Sequence, residues 1–510
     1  MKNAFGLRLI VLIAAAFCAM AGCGGPRPEP MRPAAWFMKQ RLGGEGRLPV
    51  RARSGALERA LARGFLDAAP GSWVSVGPFN IGGRVTSLGI DPNNPSRIWL
   101  GSAEGGVFVS TDGGTGWSPV FDGQTALSIG SLAVHPTDSN TIYVGTGEDN
   151  GGGFSYDGEG VFRSTDGGTT WIGLGLAETR RIGRIAVDPV DPRRLFVAAG
   201  GDWFGRDAHR GIYRSTDGGA GWEKVLYVAE DAGAIDVAID PIDTNRIYAA
   251  IWQRQSQGSS WYISGPQSGV YRSSDGGATW SRLANGLPGG PDIGRIGIAI
   301  ARSSPNIVYA LVIDGRGDLF GLYRTADAGD SWTTLSATSL LLGGFSYYFG
   351  NIRVDPADPD TVYVLDVFLL KSTNGGASFG IIGANAHPDW HDLIIEANRL
   401  LAGNDAGFFR SRNGGSSWEQ ATTLPITQFY DLAIDRLQPS RRFGGTQDNG
   451  TVRTRSARAT PAAPGPGVPT AAGSPGCHRR ALELKGRYSR GKARIPGSHL
   501  PSARPGVNQR

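Results

Sequence analysis

The motif Ser-x-Asp-Gly-Gly-x-x-Trp recurs along the chain and constrains its fold more than any other feature. Four strict copies occupy residues 110–117, 164–171, 215–222 and 273–280, and looser ones follow at 325–332, 372–379 and 411–418. The copies are roughly 40 to 58 residues apart, the period of propeller blades or solenoid repeats. Each follows a short run rich in Val, Ile, Phe and Tyr. A tight turn between strands explains the residue types. The Ser hydroxyl and Asp carboxylate accept turn N–H groups, the glycines supply positive φ, and the Trp folds back onto the sheet. Asp112, Asp166, Asp217 and Asp275, with Trp117, Trp171, Trp222 and Trp280, are therefore read as structural.

Around each motif lies a larger unit. Its first strand ends in Asp-Pro or its equivalent, as at residues 87–92, 131–136, 184–189, 236–241 and 351–356. Three further strands complete it, the last beginning at the motif's Trp. The expected fold is all-β, a single propeller of seven or eight four-stranded blades over residues 71–456. Eight first strands can be traced, and the eighth, from Phe429, lacks the motif. A strand at Trp73–Gly77 is expected to pair with the last blade and close the ring.

The flanking segments differ. Residues 23–70 read as a Pro- and Arg-rich tether with a short helix at 57–66, and 457–510 as a disordered tail without strand periodicity. The abrupt change of composition near residues 450–460 suggests a frameshift or truncation. Lys and Arg exceed Asp and Glu by 51 to 45, but basic residues crowd the last sixty positions against the single acid Glu483. The repeats are thus mildly acidic and carry no nucleic-acid footprint.

At the N-terminus, Lys2 and Arg8 flank an apolar run that ends in Met20-Ala21-Gly22-Cys23. This is the pattern of an export signal over residues 1–22, with Cys23 as the lipidation site, and the run is too short for a membrane span. The expected location is the bacterial cell envelope, with the membrane contacted through the lipid anchor alone. Of three cysteines only Cys477 then remains free, so no disulfide supports the fold.

Strand order assigns loops to faces. The motif turns and the Asp-Pro turns share one face, while loops between second and third strands share the other. Four of those are long, at 147–160, 200–211, 252–269 and 313–321. Variable loops on a rigid scaffold concentrate binding residues. Trp203, Trp261 and Tyr262 are the candidate ligand-binding aromatics there, joined by His387, Trp390 and His391 of the segment 387–392. Two His and two Asp in that segment invite a metal reading, but one segment seldom makes a metal site, and none is assigned. Asp236, Asp392, Asp431 and Arg184 share a repeat position and are expected to ring the channel mouth. No cofactor motif is present. The expected state is a monomer, and its partner a glycan or protein.

The segments 73–84, 387–392, 403–405, 428–430 and 445–450, together with the repeats, resemble the Asp-box (BNR) superfamily. The likeness is greatest to its sortilin-like branch and to xyloglucanases of glycoside hydrolase family 74. The resemblance implies an exported propeller that binds a polymer or protein on its long-loop face. The alternative is a glycoside hydrolase, xyloglucanase-like rather than sialidase-like, with its acid or base among Asp149, Asp202, Asp236 and Asp392. The family 74 cleft lies between two propellers, and one is visible here.

Overall fold

The computed structural model describes residues 52–63, 81–150, 155–257, 260–439 and 441–454. The export signal, Cys23, the strand expected at Trp73–Gly77 and the tail after 456 lie outside the described residues. A helix spans Ala52–Ala62, five residues earlier than expected. Among the described residues no helix is long and apolar enough to cross a membrane.

Seven four-stranded antiparallel sheets follow one another along the chain, each built from consecutive blade strands. Their inner strands are Val85–Ile90, Ile129–Val134, Ile182–Val187, Ala232–Ile239, Ile293–Ile300, Asn351–Val354 and Trp390–Glu396. Each inner strand packs beside the next, and the seventh packs beside the first. The core lies between blades, which is why inner and second strands are apolar on both faces. Leu88, Leu132, Ile185, Val237, Ile298, Ile352 and Leu393, at one repeat position, are all between 0 and 6 % exposed.

Two devices join the blades. Near the start of the inner strands a bulge shifts the register, for instance between Trp390 and Asp392. A bulge re-aims the side chain that follows it. Ser87 Oγ thus accepts the Leu132 N–H (2.8 Å) and Ser131 Oγ the Ile185 N–H (2.9 Å) of the next blade. Asp392 Oδ2 accepts the Leu88 N–H (2.9 Å), so the same clip closes the ring from blade seven to blade one. The second device is the motif Trp. The indoles of Trp171, Trp222 and Trp418 donate to Val120, Leu174 and Ile382 on the preceding blade.

The motif turn is as expected. Ser164 Oγ donates to Asp166 Oδ1 (2.7 Å) and accepts the Gly168 N–H (2.8 Å). Asn374 and Asn413 make the equivalent contacts with Ser372 and Ser411, so the turn needs an acceptor at that position rather than a charge.

The described residues close a ring of seven blades, while the pairing expected of Trp73–Gly77 lies outside them. Blades one and seven meet directly: a Cβ on Gly82 would lie 1.7 Å from the Ala406 carbonyl oxygen, so only glycine lets the seam close. The eighth unit is a separate three-stranded sheet of Phe429–Ile434, Arg442–Thr446 and Gly450–Arg453. Its Leu432 occupies the repeat position of Leu88 yet is 64 % exposed. Asp431, expected in the channel ring, instead lies on this outlying sheet and caps its own strand through the Leu432 N–H (2.7 Å).

Candidate functional site

The repeat that builds the blades also distributes charge. Just past the end of the second strand, on the long-loop face, six of the eight units carry an acid: Glu104, Glu148, Asp202, Asp366, Asp405 and Asp448. Arginines face them from the entries to inner strands: Arg84, Arg180, Arg181 and Arg295. The two sets interlock around the channel mouth.

On one side of this belt, Arg84 donates to Glu148 Oε2 (2.7 Å) and to Gln447 Oε1 (2.8 Å), with Arg84 and Glu148 both buried. Tyr348 OH donates to Glu148 Oε1 (3.0 Å), and Arg295 donates to Asn351 Oδ1 (3.2 Å). Blades one, two, five and six are thus tied across the mouth, and Gln447 brings in the eighth sheet. A buried ion pair of this kind serves geometry more than net stability.

A second cluster surrounds Trp203. Its indole donates to Asp149 Oδ1 (2.9 Å), and Arg254 and Arg181 stack over its ring at 3.7 and 4.3 Å. Gly200 makes this possible, because a Cβ there would lie 2.1 Å from Asp149 Oδ1. Burial pushes the Asp149 carboxyl up to about 7 against the pull of the arginines. Trp203 therefore has no face open to a ligand. Asp202, also buried, caps the Phe204 N–H (2.9 Å) and pairs with Arg180.

The remaining expected residues fall in several places. Asp236 and Asp392 lie inside the channel, not on the long-loop face, where each clips the next blade and holds an arginine, Arg184 and Arg353. That structural duty fits ill with catalysis. Trp390 packs in the core against Phe409 and Trp418. Trp261 pairs with Ser256 in the hairpin of Gln255–Gln257 and Ser260–Tyr262. Tyr262 donates to Asp231 Oδ2 (2.7 Å) and remains partly open.

His387 and His391 reach a third cluster at the seam of blade seven and the eighth sheet. His391 Nε2 lies 2.7 Å from Asp405 Oδ1, and Gln447 Nε2 donates to Asp405 Oδ2 (3.0 Å). Oxygens of Asp389, Asp405 and Asp448 lie within 4.8 Å of one another, a spacing a divalent cation could bridge. Burial, reinforced by Asp405, pushes Asp389 up to about 6. Partial burial and Asp405 also raise Asp448, while the hydrogen bond to His391 helps hold Asp405 low despite its burial.

Beside this cluster a cleft of about 490 Å³ opens between blade one and the strand leading to the eighth sheet, lined by Arg84, Glu104, Asp122 and Gln428 among others. Gln428 donates to Glu104 Oε1 (3.1 Å), and its carbonyl accepts the Gln447 N–H (3.0 Å), so one residue links Glu104 to the Asp448 loop. Tyr430, 55 % exposed, stands among Asp448, Arg84, Asp405 and Glu104, and burial followed by Asp448 raises its phenol. Sequence reasoning passed over Glu104 and Asp448 because no local motif marks them. Their shared repeat position was the available signal.

Residues 105–250 match the family model Sortilin-Vps10, described as sortilin, neurotensin receptor 3. A xyloglucanase from a Paenibacillus species is 26 % identical over 424 residues, covering 78 % of this chain and 36 % of that protein. A xyloglucanase from Hypocrea jecorina is 25 % identical over 362 residues, covering 61 % of this chain and 40 % of its own length. The chain thus spans well under half the length of these two relatives. Among solved structures, an ancestral GH74 enzyme superimposes with a TM-score of 0.55 at 21 % identity, covering 76 % of this chain and 54 % of that one. Seven four-stranded blades with their recurrent turns, joined to these likenesses, make the chain an Asp-box β-propeller that is similar to sortilin-like and family 74 proteins.

Proposed function

We propose that this chain is an exported propeller that binds a polysaccharide of the xyloglucan type in the cleft at the seam, as part of a glycoside hydrolase. The observation that carries this reading is the carboxylate cluster of Asp389, Asp405 and Asp448 at the seam, linked through Gln447 and Gln428 to Glu104 in the adjoining cleft. Glycosidases commonly work with two carboxyl groups flanking the scissile bond, one protonated and one ionised. Asp448, raised by burial and Asp405, suits the proton donor, and Glu104, linked through Gln428, is the candidate second carboxyl group. Tyr430 offers a stacking surface for a sugar ring. Xyloglucanase relatives support the substrate class.

The test is reducing-sugar release from xyloglucan together with migration in a xyloglucan-containing native gel. Retarded migration and release by the wild type, with release lost in Glu104→Gln and Asp448→Asn, is the expected result. An acid whose carboxyl is raised by burial and by Asp405 predicts that activity falls as pH rises above the ordinary carboxylate range. Absence of both retardation and release would sink the proposal.

A reading as a binding module without catalysis is favoured by one observation: the eighth sheet presents an uncovered face, so the described residues supply one wall of a cleft. Retardation without release, unchanged in Asp448→Asn, would select it. Envelope anchoring through Cys23 belongs to the same proposal, and labelled palmitate should be incorporated by the wild type and not by Cys23→Ser.

A further inference from the structure

The face bearing the motif turns holds a second cavity, independent of the seam. The channel opens there as a funnel of about 820 Å³, within the size range of ligand sites. Its rim carries the prolines of the Asp-Pro turns, including Pro92, Pro189 and Pro356. Its wall repeats one choice in all seven blades: Ile90, Val134, Val187, Ile239, Ile300, Val354 and Ile395 stand at the same register position, one per inner strand. Each is half-buried, with one side packed on an inter-blade core and the other lining the funnel.

The funnel is apolar only along its wall. Deeper in the channel lie Arg184 and Arg353, each backed by an aspartate. The aspartates are turned into the wall. Asp236 accepts the backbone N–H groups of Val237 and Ile298, and Asp392 those of Leu393 and Leu88. Arg184 uses only Nε to hold Asp236 (3.1 Å), and its two terminal nitrogens have no protein acceptor among the described residues. Those nitrogens are not sealed in, since the side chain is 23 % exposed within the channel. Arg353 gives its terminal nitrogens to Asp392 Oδ1 (2.6 Å) and the Ile352 carbonyl (2.9 Å). Arg184 thus brings to the funnel, beside Asp236, a terminal fork that no acceptor among the described residues takes. A guanidinium with a free fork is a carboxylate receptor, and a ring of branched alkyl groups is a seat for an apolar chain.

We propose that this funnel binds a linear amphiphilic carboxylate of the fatty-acid class, its chain along the branched wall and its head on Arg184 and Arg353. The site lies on the face opposite the glycan cleft and does not depend on that reading.

The experiment is displacement of the fluorescent fatty acid cis-parinarate from the full-length chain by myristate and by methyl myristate. Saturable binding is expected, with the ester at least tenfold weaker than the acid. Arg184→Met with Arg353→Met should lower the affinity for myristate at least tenfold and remove the preference over the ester. Val187→Trp, which fills the funnel without touching the floor, should abolish binding while far-ultraviolet circular dichroism stays unchanged. Leu432→Lys, on the exposed eighth sheet, should leave it intact. Equal affinity for acid and ester in the wild type, retained binding in a folded Val187→Trp, or loss in Leu432→Lys would each overturn the proposal. So would stronger displacement by a peptide with an apolar C-terminal residue than by myristate, which would assign the funnel to a chain terminus.

Discussion

Asp149 shows how a single carboxyl can be committed to architecture. Burial holds it up to about 7, against the downward pull of Arg254, Arg181 and Arg295 and of the Trp203 indole N–H that it accepts. A carboxyl raised above its unfolded value near 3.8 contributes stability that is fully present below that value and is lost as pH rises through about 7. Thermal midpoints should therefore fall between pH 5 and pH 8, and Asp149→Asn should shrink that difference by about 2 °C. Differential scanning fluorimetry at the two pH values checks it. An unchanged difference would show that Asp149 is ionised throughout. Trp203 and Trp390 teach a related lesson. Both were plausible ligand aromatics in a loop-rich segment, but a Trp so placed meets either a guanidinium or another ring before it meets solvent.

Between the residue and the ring stands the motif turn, whose contacts are local and whose Trp reaches across to the preceding blade. Ser164→Ala removes an acceptor from the buried Gly168 N–H and should destabilise by about 1–2 kcal/mol in urea unfolding. Asp166→Asn should be close to neutral, since Asn374 and Asn413 do the same work in later blades. A large loss on Asp166→Asn would mean the charge itself matters. Turns of this kind were legible because each is encoded within eight residues. The clips were not. Asp392 and Leu88 are 304 positions apart, and nothing in either strand announces the other. Glu104 and Asp448 were half-legible, since their shared repeat position was there to be read, but a lone acid in a loop carries no signature until the fold brings several together. The four long loops drew attention instead, and of their candidate aromatics Trp203 is buried while Tyr262 and Phe320 are exposed.

At the scale of the molecule, the eighth sheet is the outlier. Tyr430, Leu432 and Ile434 are more than half exposed where their counterparts in the ring are covered by a neighbouring blade. An open apolar edge sheet invites association. Leu432→Lys with Ile434→Lys should leave the thermal midpoint within about 1 °C of the wild type and lower the sedimentation coefficient measured at high concentration. If the wild type sediments as a monomer throughout, the sheet is not sticky. The fold class and the seven ring positions followed from the sequence because the period itself states them. Which blade meets which does not, since seven and eight near-identical units can both close a circle and only the bulge clip from Asp392 decides.

That clip has a mechanical meaning. Every blade is contiguous in sequence, and among the described residues no strand is shared between blades one and seven. Their seam is fastened by side chains, by the Asp392 latch and by the close approach of Gly82 to Ala406. Tension pulling the two ends of the ring apart would load those fastenings together, and among the described residues no covalent path crosses them. The circle should spring open at that joint before any sheet unravels, much as a bracelet parts at its clasp.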